Sequence, residues 1–396
     1  MPSNRELFFS YLGLPSKNPM GLEIQKANGI YLYDKQGKKF IDLVSGVSVS
    51  NTGHLHPEVV QAIQEQLKKY MHLMVYGEFI QEPQVLLAKL LSDHLPDSLN
   101  AVYFVNSGSE AIEGAMKLAK RYTGRTGVAA FKNGYHGGTH GALSILGNEL
   151  LKNAFRPLLP DVHLLEFNNP EQLNLITNKT ACVVAETIQA EAGIILPENS
   201  FLEKLRARCD ETGALLIIDD VQLGFGRTGK LFSFEHFNFK PDILAIAKGM
   251  GGGMPVGAFI ASNILMKTLS SKPELGHITT FGGHPVSCAA ALANLKVILR
   301  DNLAVKANAK GLLFKNALNG HPAISDIRQS GLMLAFDMDN PEKAAGLQDA
   351  MLQNGLISDR FLFRPQALRI APPLTISTLE IEEAIDLILK SLKQLK

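Results

Sequence analysis

Cysteine is scarce in this chain, with three in 396 residues. Cys182, Cys209 and Cys288 share no spacing that a zinc site or a thiol–disulfide motif would need. That excludes a disulfide framework and predicts buried thiols in a reducing compartment. Charge of one sign is also lacking. Lys and Arg number 39 against 38 Asp and Glu, a net charge of +1 that provides no electrostatic footprint for nucleic acid or an anionic membrane. No apolar run approaches the roughly 18 residues of a membrane span. Residues 1–7 hold no basic segment leading into an apolar stretch, so no secretory signal is expected. Asn178-Lys179-Thr180 is then a chance match to a glycosylation acceptor. Repeats and low-complexity tracts are missing too. Together these absences predict a soluble cytoplasmic protein.

What is present is apolar and periodic. A hydrophobic content of 46% over this length predicts two domains, possibly three. Strand-like runs at 101–105, 127–131, 181–185, 214–218, 243–247 and 256–261 alternate with helical patterns at 110–122 and 201–212. This rhythm predicts an α/β fold: a mostly parallel sheet covered by helices, with ligands at the strand C-termini. A helical pattern over 285–299 leads out of the sheet, and 331–338 and 368–371 look like strands of a smaller α+β unit. A hairpin pattern at 30–34 and 39–42, turning at Gln36-Gly37, is expected to pack with that unit. The expected division is 1–50 and 286–396 for the small domain and 51–285 for the large one.

Two of the buried strands end in chemistry. The run 242–247 closes on Lys248, and the run 214–218 closes on Asp219 and Asp220. An amine and a carboxylate at neighbouring strand ends form the arrangement that pyridoxal phosphate needs. The lysine holds the aldehyde as a Schiff base, and the acid keeps the pyridine nitrogen protonated. Upstream, Asn106-Ser107-Gly108-Ser109-Glu110 sits between a strand and a helix. Ser107 and Glu110 have capping-box spacing, and the exposed amides could hold a phosphate, although alone the segment is an ordinary helix cap. Tyr135 could stack on a flat ring, or simply pack. His136 could support a residue that touches the ligand, or be merely a loop histidine.

Other candidates weaken on inspection. Gly224-Phe225-Gly226-Arg227-Thr228-Gly229 matches a dinucleotide fingerprint, which raises a nicotinamide-dependent dehydrogenase as an alternative. No amphipathic helix follows it and no acid ends a second strand at the right distance, and Leu231 stands where a P-loop needs a hydroxyl. His54, His56, His136 and His140 lack the Glu or Cys company of a zinc site, so no metal is assigned. Glu186 and Glu191 could form an acid pair or a solvated loop. Arg369 lies inside an apolar run, where it meets a carboxylate of the substrate or protein, or else faces outward from an edge strand.

Taken together, 216–222, 224–229 and 241–249 resemble the class III, fold-type I aminotransferases, most of all the acetylornithine/ornithine group. The resemblance runs from Gly29 through Pro373. It implies that Lys248 is the cofactor lysine and proton shuttle, that Asp219 pairs with the pyridine nitrogen, and that Gln222 bonds the ring hydroxyl. Val221 and Tyr135 would enclose the ring, Ser107, Gly108 and Ser109 would hold the phosphate, and His136 and Glu186 would complete the cofactor pocket. Thr280 resembles the threonine that reaches the partner's phosphate, which implies a homodimer. Arg369 resembles the arginine that grips a substrate carboxylate and Glu191 the glutamate that masks it, with Tyr76 and Val47 as further substrate contacts. The implied reaction moves an amino group from an ω-amine donor to an oxo acid such as 2-oxoglutarate. An aminomutase, decarboxylase or racemase on the same cofactor, or a non-catalytic scaffold retaining it, are the alternatives.

This chain departs from the family pattern in places. Asp220 stands for glutamate, His284 for asparagine and Thr187 for proline. The departure with most consequence is Gly138, where acetylornithine and ornithine enzymes commonly carry an arginine for the donor's α-carboxylate.

Overall fold

A computed structural model describes residues 2–395. Positions 1 and 396, the outer ends of the expected small domain, lie outside the described residues. The central sheet has seven strands. From one edge these are Ala101–Val105, Gly257–Ala261, Ile243–Ile246, Leu215–Asp219, Thr180–Ala185, Gly127–Phe131 and Val162–Leu165. Gly257–Ala261 runs antiparallel to both neighbours, and the pairings from Ile243–Ile246 to the far edge are parallel. The 256–261 run is therefore a strand, but the reversed one. Val162–Leu165, short and containing a histidine, was not expected at all.

Successive residues of these strands serve opposite faces. Leu216 and Ile218 enter one core cluster while Ile217 enters the other, and Val183 and Val184 divide the same way. This two-sided burial explains the unbroken apolar runs. Cys182, Cys209 and Cys288 are all free and buried. Helix Gly108–Thr123 lies on one face. Gly114 lets it approach closely, because a Cβ there would collide with the Phe259 ring.

The hairpin Tyr31–Asp34 and Lys39–Asp42 forms, with Asp34 Oδ1 accepting from the amides of Gln36 and Lys38 across the turn. Ile24–Asn28 adds to one side of it, and Leu356–Ile357 from the far end of the chain pairs parallel with Lys39–Asp42 on the other. Another four-stranded sheet holds Asp326–Ser330, Met333–Asp337, Arg364–Ile370 and Arg360–Phe361. The long helix Pro285–Arg300 packs against Pro57–Lys69 and Glu82–Ser92. Among the described residues no helix is long and apolar enough to cross a membrane.

Candidate active site

Strand register brings the two reactive ends together. Asp219 is the last residue of its strand and pairs with Ala245, three positions before Lys248. The Lys248 backbone lies at φ 45°, a left-handed conformation that is uncommon for a side-chain-bearing residue. It opens a single tight turn, Lys248–Met250, at the floor of a cavity of about 410 Å³. Asp219, Val221 and Gln222 line this cavity from one side, and Ser107, Gly108 and Ser109 from another. Tyr135, His136 and Glu186 complete it.

Each wall has a local cause. Ser107 caps the helix by accepting from Glu110 N at 3.2 Å. Only this half of the expected capping box forms: the Glu110 carboxylate instead accepts from the backbone and side chain of Asn106, both at 2.8 Å. The first amides of a helix have no intrahelical acceptor and favour an anion. Gly108 is required by close approach, since a Cβ would meet Val221 Cγ1 at 2.6 Å. Gly137, at φ 126°, passes so near Ser109 that any side chain would collide with its hydroxyl. Gly138 is different: nothing lies within 4 Å of where its Cβ would be, so packing does not account for the missing side chain.

Asp219 is buried and fully engaged. Oδ1 accepts from Val221 N at 3.0 Å, and Oδ2 lies 2.7 Å from His136 Nδ1. Burial alone would lower the His136 imidazole, but the hydrogen bond and charge of Asp219 leave it above its ordinary value. Its Nε2 is buried and, among the described residues, has no partner. Burial pushes Glu186 up to about 8, although it accepts from the amides of Ala190 and Tyr135. Lys248 is lowered, chiefly because it is withdrawn from water; Glu191, Asp219 and Glu186 oppose that shift.

Arg369 and Glu191 stand beside this cavity and do not line it. Arg369 is almost wholly buried and donates through Nη2 to both Glu191 oxygens, at 2.8 and 3.0 Å. Gln222 Nε2, 3.2 Å from Glu191 Oε1, joins the pair to the cavity wall. Val47 does not line the cavity; Val49, two residues on, does. Thr280 is exposed, whereas its neighbour Thr279 accepts from Asn106 Nδ2 at 3.0 Å. Tyr76 lines a separate cavity of about 680 Å³ together with Phe79, Ile278 and Thr279.

Sequence reasoning missed Arg227, a charge set among glycines. It is fully buried without a carboxylate partner. It donates to the carbonyls of Leu332 and Pro372, to Asn51 Oδ1 at 2.7 Å and to Ser45 Oγ. The glycine triplet around it is a turn followed only by the 3₁₀ segment Ser233–His236, so the dinucleotide fingerprint has no helix to open. Met254, Pro255 and Val256, also missed, close the cavity's rim.

An amine withdrawn from water, a held carboxylate across the cavity and free helix amides beside it suit pyridoxal phosphate in charge and in shape. The unpartnered His136 Nε2 adds a polar atom that a bound group would satisfy.

The comparisons agree with this geometry. The family model described as aminotransferase class-III matches residues 13–392. The acetylornithine aminotransferase of Methanopyrus kandleri is 38% identical over 384 residues, 96% of each chain. That of Archaeoglobus fulgidus is 36% identical over 368 residues, 92% of this chain and 94% of the relative. Among solved structures, an ornithine aminotransferase from Toxoplasma gondii with partial PLP occupancy at its active site superposes with a TM-score of 0.91. It is 27% identical, and the match covers 98% of this chain and 93% of that one. A Bacillus anthracis aminotransferase gives 0.92 at 26% identity over 98% of both chains. A shared sequence over nearly the whole length, a shared fold, and an amine facing a carboxylate at adjacent strand ends lead to one conclusion: the chain belongs to the class-III aminotransferases.

Proposed function

We propose that this transaminase takes the amino group of an ω-amine donor and delivers it to a 2-oxo acid such as 2-oxoglutarate, with pyridoxal 5′-phosphate as cofactor. The observation that carries this is the chain of contacts from Asp219 and Lys248, on one cavity, through Gln222 to the Glu191–Arg369 pair. When bound, the cofactor supplies an aldehyde that receives the amine and a protonated ring that accepts the electron pair released at the donor carbon.

The side chains do the rest. Asp219, fixed by Val221 N and His136, presents a negative charge to the ring nitrogen. Lys248, its amine made easier to deprotonate by burial, would be the base that takes the proton from the donor carbon. The amides of Gly108 and Ser109 would hold the phosphate with Ser107, Val221 and Tyr135 would enclose the ring, and Gln222 would bond its hydroxyl. Glu186, largely protonated at neutral pH, closes the pocket without adding a second full negative charge beside Asp219.

In the donor half of the cycle Glu191 neutralises Arg369, and in the acceptor half Arg369 grips the oxo acid's α-carboxylate. One pocket thus serves a cationic and an anionic substrate in turn. The curated relatives are named for acetylornithine, and a terminal amine on a short aliphatic chain, including a diamine, fits this site. Gly138 provides no cation for a distant donor carboxylate.

We assign a cytoplasmic homodimer in which Thr280 reaches the partner's phosphate, with Tyr76 and, in place of Val47, the cavity-lining Val49 near the substrate. The exposed apolar side chains Phe79 and Ile278, which line the cavity that holds Tyr76, and the exposed Ile80 and Phe281 next to lining residues in sequence support that assembly. The pairing of Lys39–Asp42 with Leu356–Ile357 supports a small domain drawn from 1–50 and 286–396, with 51–285 as the large one.

The test is a panel of amines (ornithine, acetylornithine, lysine, 4-aminobutyrate, diamines) against 2-oxoglutarate and pyruvate. The purified protein should be yellow, with a visible band bleached by borohydride, and should form glutamate or alanine. A colourless protein, or one that consumes amines without aminating an oxo acid, would overturn the proposal.

A further inference from the structure

The guanidinium of Arg369 is gripped on more sides than the Glu191 pair accounts for. It stacks over the Phe361 ring, 4.5 Å from the centroid. Nη2 is held by Glu191, and Nε lies 3.1 Å from Asp359 Oδ1, an ion-pair contact in which neither atom has the alignment of a hydrogen bond. Nη1 is buried and, among the described residues, has no partner. Asp359 and Arg369 face one another across the hairpin of Arg360–Phe361 and Arg364–Ile370, where Arg369 N donates to the Asp359 carbonyl at 2.9 Å. The two charges are therefore cross-strand neighbours fixed by backbone register, whereas Glu191 arrives on a separate loop.

We propose that Asp359 is the positioning residue of the anion pocket, holding the Nε side of Arg369 so that its Nη1–Nη2 end meets the acceptor's α-carboxylate when Glu191 withdraws. The inference rests on Arg369 being the acceptor's anchor. A guanidinium is a planar fork, and two-point recognition of a carboxylate depends on which edge is presented. Without Asp359, withdrawal of Glu191 leaves no carboxylate on the guanidinium among the described residues, and the Phe361 stacking fixes its plane but not the rotation within it. A buried arginine with neither carboxylate would also carry an uncompensated charge until the acceptor arrived. Asp359 keeps that charge balanced through the exchange. Burial raises its carboxyl to about 6, with Arg369 opposing and Glu191 and Asp42 adding to the shift, so at neutral pH it remains mostly ionised. Its side chain keeps 32% of its surface accessible, against 2% for Arg369.

The experiment uses full-length protein loaded with pyridoxamine 5′-phosphate and follows single-turnover absorbance changes with 2-oxoglutarate and, separately, with butanal, a carbonyl lacking a carboxylate. Replacing Asp359→Asn should lower the ratio of the 2-oxoglutarate rate to the butanal rate by about tenfold, the size of one misaligned charged contact. Asp359→Glu, which keeps the charge, should restore part of that ratio. An unchanged ratio in Asp359→Asn, including one in which both rates fall together, would overturn the proposal. Arg369→Lys separates it from the underlying reading. If that variant keeps the wild-type ratio, Arg369 is not the anchor, and both fall. If it loses the ratio while Asp359→Asn does not, only the role of Asp359 is lost.

Discussion

His136 Nδ1 and Asp219 Oδ2 are 2.7 Å apart in a setting where neither side chain is appreciably exposed. The carboxylate thus has a proton on one side and, through Val221 N, an amide on the other. This pairing fixes the direction of its charge. Replacing Asp219→Asn keeps the shape and removes the charge, so kcat should fall about 10²-fold or more while the protein still melts near the wild-type temperature. Replacing His136→Ala should cost less, about tenfold, and should shift the visible band of the bound cofactor. Steady-state rates and absorbance spectra decide both. A fully active Asp219→Asn protein would contradict the role assigned to the carboxylate.

Lys248 should be indispensable. Removing its amine in Lys248→Ala takes away both the attachment point and the proton shuttle, so turnover should drop to background in buffer free of amines. Addition of a small primary amine such as methylamine should recover a fraction of the rate by supplying a diffusible base. Retained steady-state turnover without such an amine would show that the proton travels elsewhere.

Glu186 predicts a pH dependence of stability. Burial pushes its folded pKa up to about 8, well above the ordinary carboxyl value of the unfolded chain, so the folded state binds more protons than the unfolded one between those values. Stability therefore decreases as pH rises through that window, because unfolding releases the proton. Melting temperatures of the cofactor-loaded protein from pH 5 to 8.5 should decline with pH, and Glu186→Gln should flatten the decline. Parallel curves for the two proteins would exclude this group as the cause.

Gly138 offers a gain-of-function test. The space beside it is open, so Gly138→Arg should fold normally and supply the cation that the donor side lacks. A new two-point contact with a carboxylate is worth about 1.5–3 kcal/mol. The expected outcome is a rise of about tenfold or more in kcat/KM for ornithine or acetylornithine, with no gain for a carboxylate-free diamine. Equal changes for both donor types would mean that the position does not face the donor's distal end.

Legibility in the sequence followed the physics of each element. The sheet could be read because its strands are buried on both faces, which leaves unbroken apolar runs such as Leu216-Ile217-Ile218. The cofactor side of the site could be read because reactive residues end those runs. Strand direction could not, since 256–261 carries the same apolar signal whether it lies parallel or antiparallel to its neighbours. Val162–Leu165 escaped notice because an edge strand with His163 lacks that signal. Contacts made across long stretches of chain were the least visible. Nothing local in Arg227 announces that it binds segments near 45–51, 332 and 372, and nothing in Asp359 alone points to Arg369.

The joining of Lys39–Asp42 to Leu356–Ile357 imposes an order on events during synthesis. The hairpin is made early, yet one of its edges finds its mate only after more than three hundred further residues have left the ribosome. Until then that edge exposes unpaired backbone groups of the kind that recruit the wrong strand. The loop that follows it, which Arg227 ties to Pro372, lacks one of its moorings for the same interval. A nascent or prematurely terminated chain can thus possess Lys248 and Asp219, aligned by their own sheet, while lacking Arg369 and the acceptors that fasten Arg227, so competence arrives only when the carboxyl end docks.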